Sequence, residues 1–151
     1  MEPETEYAAA RAPSDSPGRL LAIDLGAKRV GVAVSDELRI TVKPLPAIER
    51  RSWKDFLRRI VALVETYEAG GLVIGLPLRL EGGEGEAAQE ARSVAGKFQR
   101  SLDIPVYLQD ERLTTFEAAS DLRSAARSEH EIETAVDSES AALILRDFIV
   151  K

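Results

Sequence analysis

Asp24 lies near the end of an apolar stretch, Leu20–Leu25, and Gly26 follows directly after it. A run of Leu and Ile that is covered on both faces is typical of a central strand. A carboxylate is costly inside such a strand, but it is tolerated at the strand's end, where it can bind a cation or cap a turn. The D-x-G sequence by itself favours neither role. Asp24 is therefore a candidate cation ligand, with turn capping as the alternative.

Three further carboxylates have positions that suit the same site. Asp110 and Glu111 end a short strand that begins at Val106, and Asp137 shares an apolar helical stripe with Ala141, Leu145 and Phe148. Ligands gather outside the carboxyl ends of parallel strands, so these acids could meet at one edge of a sheet. For Asp137, expected in the first turn of its helix, the alternative is capping and complementation of the helix dipole.

Converging carboxylates repel one another unless a divalent cation lies between them. An all-oxygen set of ligands suits Mg²⁺ or Mn²⁺. Paired hard cations held by carboxylates are a common means of cleaving a phosphodiester bond. The four acids therefore point to metal-dependent chemistry on a phosphate ester.

The elements that must position these acids follow an α/β pattern. Two strands joined by a short turn come first, and a third strand, Ile40–Ile48, contains Pro44 and Pro46, which confine it to a sheet edge. The remaining predicted elements are a helix from Ser52 to Gly70–Gly71, a strand at 72–74, a helix at 87–102, a strand at 106–108, a helix at 114–126, a charged loop at 127–133 and a helix from Thr134 to Val150. We expect a mixed five-stranded sheet, an antiparallel meander plus parallel strands, flanked by helices.

The composition of the chain limits the cellular compartments and binding partners that we expect. The chain has 151 residues, with a single domain expected at 19–151 and a disordered tail at 1–18, which is rich in Glu, Ala, Ser and Pro. It has no cysteine, which excludes thiolate metal sites and favours the cytoplasm. No apolar run approaches the roughly 18 residues of a membrane span, so no membrane partner is expected. Although the net charge is −6, residues 19–59 contain ten Lys and Arg against five Asp and Glu, a distribution that can steer a polyanion.

Four segments together resemble the YqgF family, also called the RuvX or pre-16S rRNA nuclease family. They are AIDLGAKRVGVAVSDE at 22–37, VIGLPLRLEGGEG at 73–85, DERLTTFEA at 110–118 and VDSESAALIL at 136–145. The resemblance covers residues 19–150. It implies a ribonuclease H-like fold, similar to the RuvC Holliday-junction resolvase, and a metal-dependent endonuclease that processes the 16S rRNA precursor. Pre-rRNA is the first partner it implies and branched DNA the second, with a monomer and a homodimer both open.

The resemblance also implies roles for individual residues. Asp24, Glu111 and Asp137 match the family's three acids and would be the catalytic residues and the ligands of Mg²⁺ or Mn²⁺, with Asp110 as the alternate for Glu111. The basic residues expected to contact nucleic acid are Lys28, Arg29, Arg79 and Arg112. As alternatives, Arg112 could pair with an acid, and Lys28 and Arg29 could be ordinary exposed turn residues.

Two features depart from the family's pattern. The segment at 127–133 is often basic in the family, whereas here it is mostly acidic and would repel phosphates. Gly75 ends the strand that bears an acid in the junction resolvases. Two functional alternatives stay open: a Holliday-junction resolvase, which would need a dimer, and a catalytically weak nucleic-acid-binding protein of the same fold. The D-x-G turn also resembles that of actin- and hexokinase-like ATPases, which need two subdomains and a far longer chain.

Overall fold

The computed structural model describes residues 18–77, 83–110 and 129–150, and for residues 129–137 the backbone alone. Within these ranges the chain forms five strands and three helices. In chain order they are β1 (Arg19–Leu25), β2 (Arg29–Ser35), β3 (Val42–Glu49), α1 (Trp53–Tyr67), β4 (Ala69–Leu76), α2 (Glu86–Ser101), β5 (Val106–Asp110) and α3 (Glu129–Ile149). The strands form one sheet in the order β3-β2-β1-β4-β5.

The directions of the strands confirm the predicted mixed sheet. β1 pairs antiparallel with β2 and β2 antiparallel with β3, whereas β1, β4 and β5 are parallel neighbours. β3, which contains the two prolines, lies at an edge as predicted. Because β1, β3, β4 and β5 run in the same direction, their carboxyl ends meet on one side, which we call the carboxyl end of the sheet.

Different helices cover the two faces of the sheet. On one face, Ile23 belongs to a buried cluster with Phe56 of α1 and Phe98 of α2. On the other, Ala22 belongs to a second cluster with Leu145 of α3. Alternation of side chains along β1 explains the division. We call these the α1–α2 face and the α3 face.

Helix α1 begins where the sequence predicts and ends earlier. Ser52 is its N-cap, and the hydroxyl of Ser52 accepts a hydrogen bond from the Asp55 backbone N–H at 3.1 Å. The helix ends at Tyr67, and Glu68 closes it with a φ of 52°, in the left-handed region. The predicted end at the glycine pair that follows is therefore wrong.

Gly70 and Gly71 instead lie inside β4. A Cβ at Gly71 would lie 2.8 Å from Cδ2 of Leu20 and 3.2 Å from Cε2 of Tyr107, on the two neighbouring strands. Gly71 therefore allows a close approach across the sheet, which is a known use of glycine within strands.

Helix α3 is longer than predicted. Its backbone is helical from Glu129, so the predicted loop is wrong for residues 129–133, and Thr134 does not begin the helix. Glutamates favour helices, and they interact well with a helix dipole near its start. Asp137 lies more than two turns beyond Glu129, at about 3.6 residues per turn. It is therefore too far along the helix for the capping and dipole role, which acts within the first turn.

The predicted tail at 1–18 and the predicted helix at 114–126 lie outside the described residues, apart from Gly18. The Gly18 carbonyl accepts a hydrogen bond from Nε of Arg39 at 2.9 Å. Gly18 is thus tied to the turn between β2 and β3.

Candidate active site

Asp24 lies one residue before the end of β1, at the carboxyl end of the sheet, and its side chain is half-buried. The packing of the two preceding residues shows on which face of the sheet Asp24 lies. Ala22 packs in the α3 cluster and Ile23 in the α1–α2 cluster. Because side chains alternate along a strand, Asp24 lies on the α3 face. A carboxylate at this end of an α/β sheet is well placed to meet a ligand.

Glycine occupies the position next to Asp24 on both neighbouring strands. Gly31 of β2 is its Cα partner. On β4, the register pairs Ile23 with Ile74, so Gly75 follows at the level of Asp24. Neither residue has a side chain to cover the carboxylate, and the flanks of Asp24 on the α3 face are formed by backbone. Both glycines are buried.

Helix α3 is fixed to the sheet by the buried side chain of Ser138. Its Oγ accepts a hydrogen bond from the Val32 backbone N–H at 3.4 Å and donates one to the Leu45 carbonyl at 2.5 Å. The ladder between β2 and β3 shifts register between Val30 and Val32. A bulge of this kind leaves backbone groups without ladder partners, and the serine hydroxyl satisfies two of them.

The hydrogen bonds of Ser138 fix the position of the backbone at residue 137 relative to the sheet. Val32 directly follows Gly31, the strand partner of Asp24, and Ser138 directly follows Asp137. The helical turn that contains residue 137 therefore packs against the β2 residues next to Asp24, on the same face of the sheet.

Asp110 lies on the opposite face. Its register partner on β4 is Leu76, which belongs to the α1–α2 cluster, and Leu108 packs against that cluster too. By alternation Asp110 lies on the α1–α2 face, across the sheet from Asp24. The structure does not bring this alternate ligand together with Asp24.

Lys28 and Arg29 lie beside Asp24 at the turn between β1 and β2. A hydrogen bond of 2.9 Å from the Gly26 N–H to the Arg29 carbonyl closes this turn. Lys28 is exposed and Arg29 is half-buried. The turn thus places two cations within a few residues of the candidate ligand.

The sequence analysis missed Arg50, which braces the same turn. Its backbone N–H donates to the Lys28 carbonyl and its Nη1 to the Gly26 carbonyl, both at 2.8 Å. Its Nη2 also pairs with Glu90 at 2.6 Å. The available signal was its position: Arg50 directly follows β3, a strand that ends at the carboxyl end of the sheet.

The side chains of the other predicted site residues lie outside the part of the chain that the structure describes. Glu111, Arg79 and Arg112 are not described, and only the backbone of Asp137 is. Among the described side chains, no group of three or more His, Cys, Asp or Glu is placed to hold a metal ion. The helices in the described part of the chain include none that is long and apolar enough to cross a membrane.

The chain matches a family model described as RuvX, Holliday junction resolvase, over residues 18–151. A protein of Anaeromyxobacter sp. (strain Fw109-5) named "Putative pre-16S rRNA nuclease" is 41% identical over 131 residues, which cover 87% of this chain and 96% of that protein. A protein of Koribacter versatilis (strain Ellin345) with the same name is 39% identical over 137 residues, which cover 91% of this chain and 90% of that protein.

Among solved structures, the human cytomegalovirus terminase nuclease domain matches with a TM-score of 0.50. It is 13% identical, and the match covers 97% of this chain and 93% of that chain. At this identity the likeness concerns the fold alone. With the observed strand order, it confirms the predicted ribonuclease H-like fold.

Proposed function

The chain belongs to the RuvX family, also called YqgF, and from this membership we propose that it is a metal-dependent endonuclease that cleaves the 16S rRNA precursor. Support comes from two relatives at 41% and 39% identity that bear the pre-16S rRNA nuclease name. The matches cover nearly the whole length of both relatives, so the proposal transfers a function between chains of the same extent.

The observation that supports this function most directly is the placement of Asp24. It is a half-buried carboxylate at the carboxyl end of a central strand, flanked by Gly31 and Gly75 positions and next to the basic turn at Lys28 and Arg29. A ligand that includes a cation and a phosphate would use both the carboxylate and the adjacent positive charge.

We assign Asp24, Glu111 and Asp137 as the ligands of Mg²⁺ or Mn²⁺. All three are carboxylates, the hard oxygen donors that these cations prefer, so the chemistry of the donor set fits such a group. The bound cation would supply the positive charge that phosphodiester cleavage requires. Asp110 is dropped from the set because it lies on the α1–α2 face, which leaves Glu111 as the second acid.

The basic residues act on the substrate and not on the cation. Lys28 and Arg29 hold the backbone phosphates near Asp24, and Arg79 and Arg112 provide further phosphate contacts, Arg112 by two parallel hydrogen bonds. Such contacts position the strand without reading its sequence. The nuclease domain comprises residues 19–151 and acts in the cytoplasm, in ribosome biogenesis.

The test is cleavage by the purified full chain. A labelled 16S precursor and a four-way DNA junction are each incubated with Mg²⁺, Mn²⁺ or EDTA. We expect the precursor to be cut with either cation and to stay intact in EDTA. Cleavage that persists in EDTA would contradict the role of the metal.

The four-way junction distinguishes the proposal from its alternatives. Preferential cleavage of the junction by a stable dimer would favour the resolvase function named in the family description. Binding of the RNA with no cleavage under any condition would favour a catalytically silent binding protein. Either result would overturn the assignment as a pre-16S rRNA nuclease.

A further inference from the structure

A cleft between the start of α1 and the middle of α2 is not used by the proposed active site. Its volume is about 270 Å³. The residues that give it its chemical character are Arg50, Arg51, Trp53, Glu90, Ser93 and Lys97. It combines three cationic side chains and one acid with the indole of Trp53.

Among the charged residues of the cleft, Arg50 and Glu90 form a wall that is held in place by contacts, whereas Arg51 and Lys97 form an exposed rim. Arg50 is fixed, because it pairs with Glu90 through contacts of 2.6 and 3.3 Å and also donates to the Gly26 carbonyl. Arg51 is 61% exposed, and its ion pair with Glu49 at 3.1 Å lies in water. Lys97 is exposed as well. Exposed ion pairs are weak, so these two rim cations can turn to a phosphate at little cost.

Trp53 gives the cleft an aromatic lining. Trp53 is half-buried, and its ring packs against those of Phe56 and Phe98, with centroid distances of 5.9 and 4.8 Å. Nζ of Lys97 lies 5.1 Å from the Trp53 centroid. A rigid aromatic ring beside cations is the combination with which proteins bind single-stranded nucleic acid, because bases stack on the ring while the cations follow the backbone. A stacked base is worth more than an exposed cation–π contact, so a strand can displace Lys97 from the ring onto a phosphate.

The cleft adjoins the turn that follows Asp24, although the cleft lies on the α1–α2 face of the sheet and Asp24 on the α3 face. Arg50 forms its wall and also hydrogen-bonds to the Gly26 and Lys28 carbonyls, in the turn that follows Asp24. Helix α1 starts at the carboxyl end of the sheet, because β3 ends there opposite Arg29. A strand that leaves Asp24 reaches the cleft by crossing the carboxyl end of the sheet, past Lys28 and Arg50.

We propose that this cleft binds a single-stranded segment of the substrate that flanks the cleavage point, with a base stacked on Trp53 and phosphates on Arg51 and Lys97. The inference rests on the proposed nuclease function, to which it adds a substrate class: a nucleic acid with an unpaired stretch beside the cut. A protein segment with acidic groups is the competing occupant, and RNA that leaves Trp53 fluorescence unchanged would favour it.

Trp53 is the only tryptophan in the chain, so its fluorescence reports directly on the cleft. The full chain is titrated in EDTA with a single-stranded RNA of about eight nucleotides, within the range of known single-strand sites. An abasic strand of equal length serves as the control, since it has the same phosphates without bases. We expect saturable quenching by the RNA and weaker binding without quenching by the abasic strand. RNA that binds without changing Trp53 fluorescence would overturn the proposal.

Paired variants test the rim cations. Arg51→Ala with Lys97→Ala removes two charges from the cleft, and Arg59→Ala with Arg100→Ala removes two exposed charges outside its lining. We expect the first pair to lower the slope of log affinity against log salt by about 1.4, because each single-strand phosphate contact contributes about 0.7. The second pair should leave the slope unchanged. Equal slopes in the two double variants would show that the strand binds elsewhere and would overturn the proposal.

Failure of this inference and failure of the proposed function give different results. If the protein cleaves the precursor but RNA does not quench Trp53 fluorescence, the cleft is not a strand-binding site and the nuclease function stands. Quenching that depends on Arg51 and Lys97 in a protein that cleaves nothing would reject the nuclease and keep a single-strand binding site.

Discussion

The Ser138 hydroxyl accepts a hydrogen bond from the backbone N–H of Val32 at 3.4 Å, although the two residues are 106 positions apart in the chain. Val32 follows the strand partner of Asp24, and Ser138 follows Asp137. This single contact therefore ties the helix that contains the third proposed acid to the strand beside the first. It also satisfies backbone groups at an irregular point of the β2–β3 ladder.

Replacing Ser138 with Ala should lower the free energy of unfolding by about 1–3 kcal/mol, the usual cost of leaving a buried polar group without its partner. Urea denaturation of the two proteins measures the difference. Ser101→Ala is the control, because the Ser101 hydroxyl is exposed and donates only to the Lys97 carbonyl of its own helix, at 2.8 Å. That variant should stay within about 0.5 kcal/mol of the parent. Equal losses in the two variants would contradict the role of Ser138.

Gly71→Ala should destabilise the sheet by about 1–3 kcal/mol, as is typical when a methyl group is forced into a packed core. The added Cβ would lie 2.8 Å from Cδ2 of Leu20. A thermodynamic cycle with Leu20→Ala identifies the cause. Once Leu20 is shortened, Gly71→Ala should cost clearly less than it costs in the parent. Additive effects would mean that Leu20 is not the residue that excludes a side chain at position 71.

Changing Glu129, Glu131 and Glu133 to Lys should raise the affinity for a structured RNA, most clearly at low salt, because acids near the substrate oppose the phosphate backbone. The salt dependence should steepen by up to about 0.9 for each new phosphate contact on a duplex. These residues belong to α3, so the matched Gln variants control for helix stability while removing the charge. If the Lys variant binds no better than the parent at low salt, the start of α3 lies away from the substrate.

Local sequence patterns were sufficient for most of the fold. An apolar run identified the first strand and period-two alternation the second, the prolines of β3 marked an edge, and Ser52 marked the start of α1. These features depend on residues that are adjacent in the chain, so they can be predicted from the sequence alone. The end of α1 was mispredicted because Gly71 looks like a helix terminator in sequence, whereas its function depends on Leu20 and Tyr107 from other strands.

The candidate site depends more on tertiary context. Asp24 was identified from its position at the end of a strand, and that position is observed. The face of the sheet on which Asp110 lies could not be predicted from the sequence, because it depends on the pairing of Asp110 with Leu76. Arg50 was missed because its role arises from contacts with Gly26 and Lys28 across a hairpin. The start of α3 was mispredicted because a run of charged residues was interpreted as a loop, although glutamates favour helices.

Cleavage of the 16S precursor by Asp24→Asn and Asp110→Asn, measured side by side with Mg²⁺ at matched thermal midpoints, tests the central claim most directly. The two variants make the same chemical change at the carboxyl ends of two strands of the same sheet, on opposite faces. Mutating a residue that only supports a metal ligand lowers activity about 10–100-fold. Losing the ligand Asp24 itself should therefore lower the cleavage rate at least about a hundredfold. Asp110→Asn should stay within about twofold of the parent. Full activity in Asp24→Asn, or an equal loss in both variants, would contradict an active site on the α3 face.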